Sequence, residues 1–300
     1  MNPPMVIAHR GASGYRPEHS EAAYRLALSQ GADALEPDLV VTRDGVLVLR
    51  HEHDLSDSTD VSDHQEFAER KRMGWADPGE TLGWFSEDFG WEELSSLRTR
   101  EPHPDIRPAN AAHDDQQPVM RFAELLGLLD SPEAVSASGQ PVKLVAELKD
   151  ANAFAGLGFD TPALTLDELR AAGWQPDDPR LIFESFEAEP LHALAGWGTR
   201  VLLVNEWPAE GIEVADPFDG LSMPIEAVLT FPGLVAELQR RGKLVYAYTL
   251  RAENHFLLPE YRLGDDPAAF GNWRECFRRV LDSGLDGVFA DQPDLVRSLL

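Results

Sequence analysis

The sequence predicts an α/β protein, a closed (β/α)8 TIM barrel with a small cap inserted after its second strand. Three observations carry that expectation. Short apolar runs alternate with helical patterns over most of the chain, as parallel strands joined by crossover helices would. Eight such runs begin near Val6, Ala34, Val142, Leu181, Val201, Gly220, Leu244 and Gly287, and 300 residues is a barrel-sized domain. Charged residues also gather where the first three runs end, which is where a barrel of this kind keeps its reactive groups.

Taken in order, Val6-Ile7-Ala8 is a buried strand that stops at the glycine-rich turn His9-Arg10-Gly11-Ala12-Ser13-Gly14. Ser20 caps a helix whose apolar stripe is Ala22, Ala23, Leu26 and Ala27, and Gly31 ends it. Ala34 to Val41 is the second strand. Asp44-Gly45 then lies between the apolar runs Leu39–Thr42 and Val46–Leu49, a hairpin signal. A two-residue turn there pairs Arg43 with Val46, Val41 with Val48 and Asp38 with His51.

From Glu52 to Gln117 periodicity fades, while Trp75, Trp84, Phe85, Phe89 and Trp91 recur. So long a connection is functional or disordered, and the aromatics favour an ordered cap with a helix near Trp91 to Leu97. Its role stays open. Helices are then expected at Phe122–Leu129, Leu164–Ala172, Leu191–Ala195, Ile225–Arg240 with a break near Pro232, and Phe270–Leu281. They alternate with strands at Val142–Lys149, Leu181–Glu184, Val201–Val204, Gly220–Met223, Leu244–Thr249 and Gly287–Phe289.

Lys and Arg total 26 against 52 Asp and Glu, a net charge of −26. So acidic a surface disfavours nucleic acid and anionic membranes as general partners, and an anionic ligand must be met locally. The single cysteine, Cys276, excludes an internal disulfide and a cysteine-cluster zinc site. No signal-peptide pattern opens the sequence, so a cytoplasmic chain is expected unless a leader has been removed.

The chemistry gathers at the strand ends. Glu36 and Asp38, two apart on one strand, send their carboxylates to the same face. Glu147 and Lys149 do the same near the end of the third strand. Glu147 and Lys149 could simply pair with each other. With Glu36 and Asp38 on the neighbouring strand, three carboxylates around a hard cation account for the charges better. Oxygen ligands favour Ca²⁺ or Mg²⁺, and His9 or His51 at the edge leaves a transition metal open.

His9-Arg10-Gly11, Pro17-Glu18-His19-Ser20, Glu36-x-Asp38, Thr42-x-Asp44-Gly45, His51 and Glu147-x-Lys149 together resemble the glycerophosphodiester phosphodiesterases, and most closely their longer bacterial branch. Tyr246-Ala-Tyr248-Thr249-Leu-Arg251 and Gly287-Val-Phe-Ala-Asp291-Gln-Pro293 are similar to that branch too. The resemblance implies Glu36, Asp38 and Glu147 as metal ligands and His9 and His51 as the acid/base pair. It implies Arg10 and Lys149 as the phosphate grip. It further implies hydrolysis of glycerophosphodiesters, such as glycerophosphocholine, to sn-glycerol 3-phosphate and an alcohol through a cyclic phosphate. Phe186 and Tyr248, at later strand ends, are candidate substrate-binding residues. Ser20 and Glu52 depart from the family's usual Thr and Asp, and His19 and His53 receive no chemical role. Rival readings are a phospholipase-type lyase that stops at the cyclic product and a silent homologue that binds a phosphodiester without turnover. No basic amphipathic helix favours the lyase. The oligomeric state is not legible.

Overall fold

Eight parallel strands close on themselves in the structure, a computed structural model that describes residues 3–76, 79–205 and 211–300. The strands are β1 (Met5–His9), β2 (Ala34–Glu36), β3 (Asp38–Val41), β4 (Leu47–Leu49), β5 (Arg72–Ala76), β6 (Gly79–Gly83), β7 (Lys143–Leu148), β8 (Leu181–Ser185), β9 (Thr199–Leu203), β10 (Gly220–Pro224), β11 (Leu244–Leu250) and β12 (Gly287–Ala290). The barrel runs β2-β1-β12-β11-β10-β9-β8-β7 and closes through β2–β7. It uses all eight of the expected strand starts.

The helices are α1 (Glu21–Ser29), α2 (Trp91–Leu94), α3 (Pro108–Ala111), α4 (Phe122–Leu129), α5 (Ala151–Gly156), α6 (Thr161–Ala171), α7 (Ala188–Ala193), α8 (Ile225–Thr230), α9 (Leu234–Arg240), α10 (Trp273–Leu281) and α11 (Pro293–Arg297). Ser20 caps α1 as expected, accepting from Ala23 N at 3.2 Å. Gly11, at φ +85°, lies against the start of α1, where a Cβ would come within 2.7 Å of the Ala23 backbone. The break near Pro232 separates α8 from α9. Cys276 is buried on α10.

Inside the barrel, Ile7, Ala34, Val145, Ile182, Val201, Tyr246 and Phe289 form an apolar plug. One pleat further along five of these strands come His9, Glu36, Glu147, Glu184 and Tyr248. The polar layer therefore rests on a dry floor at the C-terminal rim.

Two expectations about the second strand need correction. The run from Ala34 to Val41 divides at Pro37, whose missing N–H cannot join the ladder, so β2 belongs to the barrel while β3 pairs with β7 and β4. The β3–β4 register also slips by one residue. Leu39 faces Leu49, Val40 faces Val48 and Val41 faces Leu47, and the connection is a three-residue loop, Arg43-Asp44-Gly45. A two-residue type I′ turn needs two positive φ values, and in this loop only Gly45 has one, at +80°. Asp44 instead accepts from Trp91 N at the start of α2. Arg50, not His51, thus lies beside Asp38, with Arg50 N donating to Asp38 O at 3.1 Å.

The described residues between β4 and β7 form packed secondary structure. They include the antiparallel pair β5–β6, α2 and α3, and Val61, Phe67, Trp84, Phe89, Leu94 and Leu97 join the same hydrophobic cluster as the barrel's outer layer. The helix expected at Trp91–Leu97 spans only Trp91–Leu94, and the hairpin and α3 carried no periodic signal.

Candidate active site

Register explains why the acidic residues meet. Glu36 is level with His9 on β1, Asp38 with Glu147 on β7, and Glu147 with Glu184 on β8. One carboxylate oxygen each from Glu36, Asp38 and Glu147 lie within 4.8 Å of one another, and all three residues are buried. Glu36 Oε1 has no hydrogen-bond partner. Burial first, then the neighbouring carboxylates, push Glu36 well above the usual carboxylate range and Glu147 up to about 8. Three converging hard oxygen donors, one of them unpartnered, fit a divalent cation, which would relieve that repulsion.

Asp38 behaves differently because cations hold it. Burial alone would raise its carboxyl, but the His19 hydrogen bond at 2.9 Å and the Arg10 and Lys149 charges keep it well below the usual range. His19, buried and at φ +57°, also meets the Tyr24 hydroxyl at 2.9 Å. Such an outer partner fixes the orientation of a ligating carboxylate.

Around the carboxylates opens a cavity of about 600 Å³ lined by His9, Arg10, His51, Lys149, Phe186 and Tyr248 among others. All nine expected site residues are thus brought together, with Asp38 buried directly behind the wall. Arg10, at φ +57°, donates from its backbone N to Glu36 Oε2 at 2.8 Å, and its guanidinium meets Glu18 at 2.8 Å and Asp38 at 3.3 Å. Lys149 Nζ lies 3.2 Å from Glu147, so the expected mutual pair exists beside the carboxylate cluster. Phe186 and Tyr248 meet edge to face at 6.1 Å, and the Tyr248 hydroxyl donates to Val204 O at 2.7 Å.

The two imidazoles are held alike. His9 Nδ1 lies 2.7 Å from Asp291 Oδ1, and His51 Nδ1 lies 2.7 Å from Glu52 Oε1. A carboxylate at Nδ1 fixes the Nδ1–H tautomer and leaves Nε2 to take or give a proton. Desolvation first, then Arg10, lower His9 to about 4, and the same causes with Lys149 lower His51. Both rings are therefore neutral near pH 7. His53 is tied to Glu87 and to Trp75 O. It is neither solvated nor in the cavity.

Several members of the site carry no assigned role in the sequence reading. Asp291 follows Ala290, the last residue of β12, at the rim where the barrel rule points, and lies in the closing motif already noted. His19 and Glu18 lie in a motif already noted. Arg50 is fully buried and donates to the carbonyls of Leu49, Ser58 and Glu18. Arg107, from the segment between β4 and β7, had no sequence signal.

The model of the glycerophosphoryl diester phosphodiesterase family matches residues 9–295. The chain belongs to that family. A glycerophosphodiester phosphodiesterase of Bacillus subtilis is 39% identical over 300 residues, covering 97% of this chain and 84% of the relative. The glycerophosphodiester phosphodiesterase GDPD6 of Arabidopsis thaliana is 29% identical over 329 residues, covering 96% and 83%. Among solved structures, an Oleispira antarctica phosphodiesterase in complex with the product sn-glycerol-3-phosphate superposes with a TM-score of 0.68. It shares 24% identity, and the match covers 99% of this chain and 96% of that one. The chain is therefore an enzyme, a phosphodiester hydrolase built on a TIM barrel.

Proposed function

We propose that the enzyme hydrolyses small glycerophosphodiesters, such as glycerophosphocholine and glycerophosphoethanolamine, to sn-glycerol 3-phosphate and an alcohol. The convergence of three carboxylates, two Nδ1-anchored imidazoles, Arg10 and Lys149 on one cavity carries this reading. The Oleispira antarctica complex, with its sn-glycerol-3-phosphate, supports the product class.

Arg10 offers a planar fork to the phosphate oxygens and Lys149 adds a point charge. Ca²⁺ or Mg²⁺ held by Glu36, Asp38 and Glu147 would add Lewis-acid polarisation and offset charge building up on the phosphoryl group. As the glycerol hydroxyl oxygen bonds to phosphorus and the P–O bond to the alcohol breaks, one imidazole takes the attacking proton at Nε2. The other, which must first take up a proton at Nε2, gives that proton to the departing alcohol oxygen. Water then opens the resulting cyclic phosphate to glycerol 3-phosphate. Phe186 and Tyr248 wall the apolar side of the bound diester. Residues 52–117 form a cap inserted into a single barrel domain. Among the described residues no helix is long and apolar enough to cross a membrane.

Phosphorus NMR of glycerophosphocholine turnover tests the reading. The expected result is glycerol 3-phosphate as the final product, with activity abolished by EDTA and restored by Ca²⁺ or Mg²⁺. A cyclic phosphate that accumulates unopened would replace the hydrolase with the lyase. Binding without turnover across glycerophosphodiesters would indicate a silent homologue.

A further inference from the structure

The segment between β4 and β7 reaches the reaction centre through one side chain. Arg107, at the start of α3, is buried and lies across the ends of β1, β11 and β12. Its Nη2 donates to Asp291 Oδ2 at 2.6 Å, its Nε to Glu253 Oε1 at 2.8 Å and its Nη1 to Ser13 O at 3.3 Å. Asn110, on the same helix, donates to Ser13 O at 2.8 Å. Ser13 Oγ in turn donates to the carbonyl of His9 at 2.8 Å. The backbone of the β1 end is thus tied to α3 on one side, while the His9 ring is tied to it through Asp291 on the other.

Resting on the proposed acid/base role of His9, we propose that Arg107 is a positioning residue for that imidazole, so that the inserted segment forms part of the catalytic apparatus. Asp291 shares its two oxygens between distinct tasks. Oδ1 faces His9 Nδ1, and Oδ2 accepts from Arg107 and, at 2.8 Å, from Arg251 Nε. Two guanidinium donors on Oδ2 fix the rotation of the carboxyl plane and keep it ionised, so Oδ1 can only accept. His9 must then carry its proton on Nδ1 and present a bare Nε2 to the cavity. Arg251 alone holds the carboxyl less firmly, because its side chain is partly exposed whereas that of Arg107 is enclosed. Glu253, buried, is the counter-charge that fixes Arg107, and Gln292 Nε2 donates to Glu253 Oε1 at 2.8 Å.

A double-mutant cycle tests the coupling. Arg107→Gln is made together with Glu253→Gln, so that no buried carboxylate is left unpaired, and is measured in wild-type and Asp291→Asn backgrounds with glycerophosphocholine. The expected result is a fall in kcat of ~10–100-fold with KM within about threefold in the wild-type background, and less than about threefold further loss when Asp291 is already Asn. Arg107→Lys, which keeps the charge and loses the fork, should fall between the two and serves if the double variant does not fold. Independently of turnover, ¹⁵N-histidine spectra should show the Nδ1–H form of His9 in the wild type and a mixture with the Nε2–H form in the Arg107 variants. Additive losses across the cycle, or a folded variant with unchanged kcat and an unchanged His9 tautomer, would overturn the proposal. A wild type inert towards all glycerophosphodiesters would instead remove the proposed function, and the tautomer measurement would still decide the coupling.

Discussion

Replacing His51 by alanine separates chemistry from folding better than other changes at the site. The side chain is about one-third exposed (32%), and its ionic partner is Glu52, exposed to the same degree, so the pair adds only ~0–1 kcal/mol to stability. Chemistry should suffer far more. A positioned acid or base supplies ~10²–10⁴-fold, equivalent to about 3–5 kcal/mol of barrier. Arg10 and Lys149 remain in place to hold the phosphate, so KM should stay within about threefold while kcat falls by that factor. The assay follows glycerol 3-phosphate release from glycerophosphocholine through a coupled dehydrogenase, with thermal unfolding run in parallel. A variant that keeps kcat within about threefold of wild type, with unchanged unfolding, would exclude His51 from proton transfer.

Two further predictions concern buried charge near the site. Arg50→Met leaves the carbonyls of Leu49, Ser58 and Glu18 without their charged donor, and should cost ~3–5 kcal/mol, lowering Tm by roughly 5–15 °C. An unchanged Tm would mean that these bonds contribute nothing. Burial raises the Glu101 carboxyl from 4.5 to about 8, Arg107 opposing, so the folded chain binds this proton more tightly than the unfolded chain does. Wild type should therefore match Glu101→Gln below pH 4.5 and become progressively less stable than it as pH rises to about 8. Denaturant midpoints at several pH values check this, and a wild type that gains on the variant across that window would contradict it.

How much was legible follows from what each residue needed. The barrel and its rim could be read because periodicity fixes strands, and strands fix which ends carry function. Glu36 and Glu147 lie on barrel strands and were legible on that ground, whereas Asp38, expected on the same strand as Glu36, lies on β3 beyond Pro37. The hairpin register is one residue off because Asp44-Gly45 reads as a two-residue turn, whereas only Gly45 has a positive φ and Asp44 instead accepts from Trp91 N on a helix that adjacent sequence does not reveal. His51 still reaches the cavity, since β4 ends at Leu49 and the chain bends away beyond it. Arg107 was illegible for a different reason. Its partners Glu253 and Asp291 are 146 and 184 residues away, and no local pattern encodes a contact of that range.

Calorimetric titration of Ca²⁺ and Mg²⁺ into the metal-stripped wild type and into Glu147→Gln probes the carboxylate site most directly. Wild type should bind one of these cations at a single site, and Glu147→Gln, with one of three anionic donors neutralised, should bind it ~10–100-fold more weakly or not at all. Equal affinity in the two proteins would contradict the assignment of Glu36, Asp38 and Glu147 to one cation.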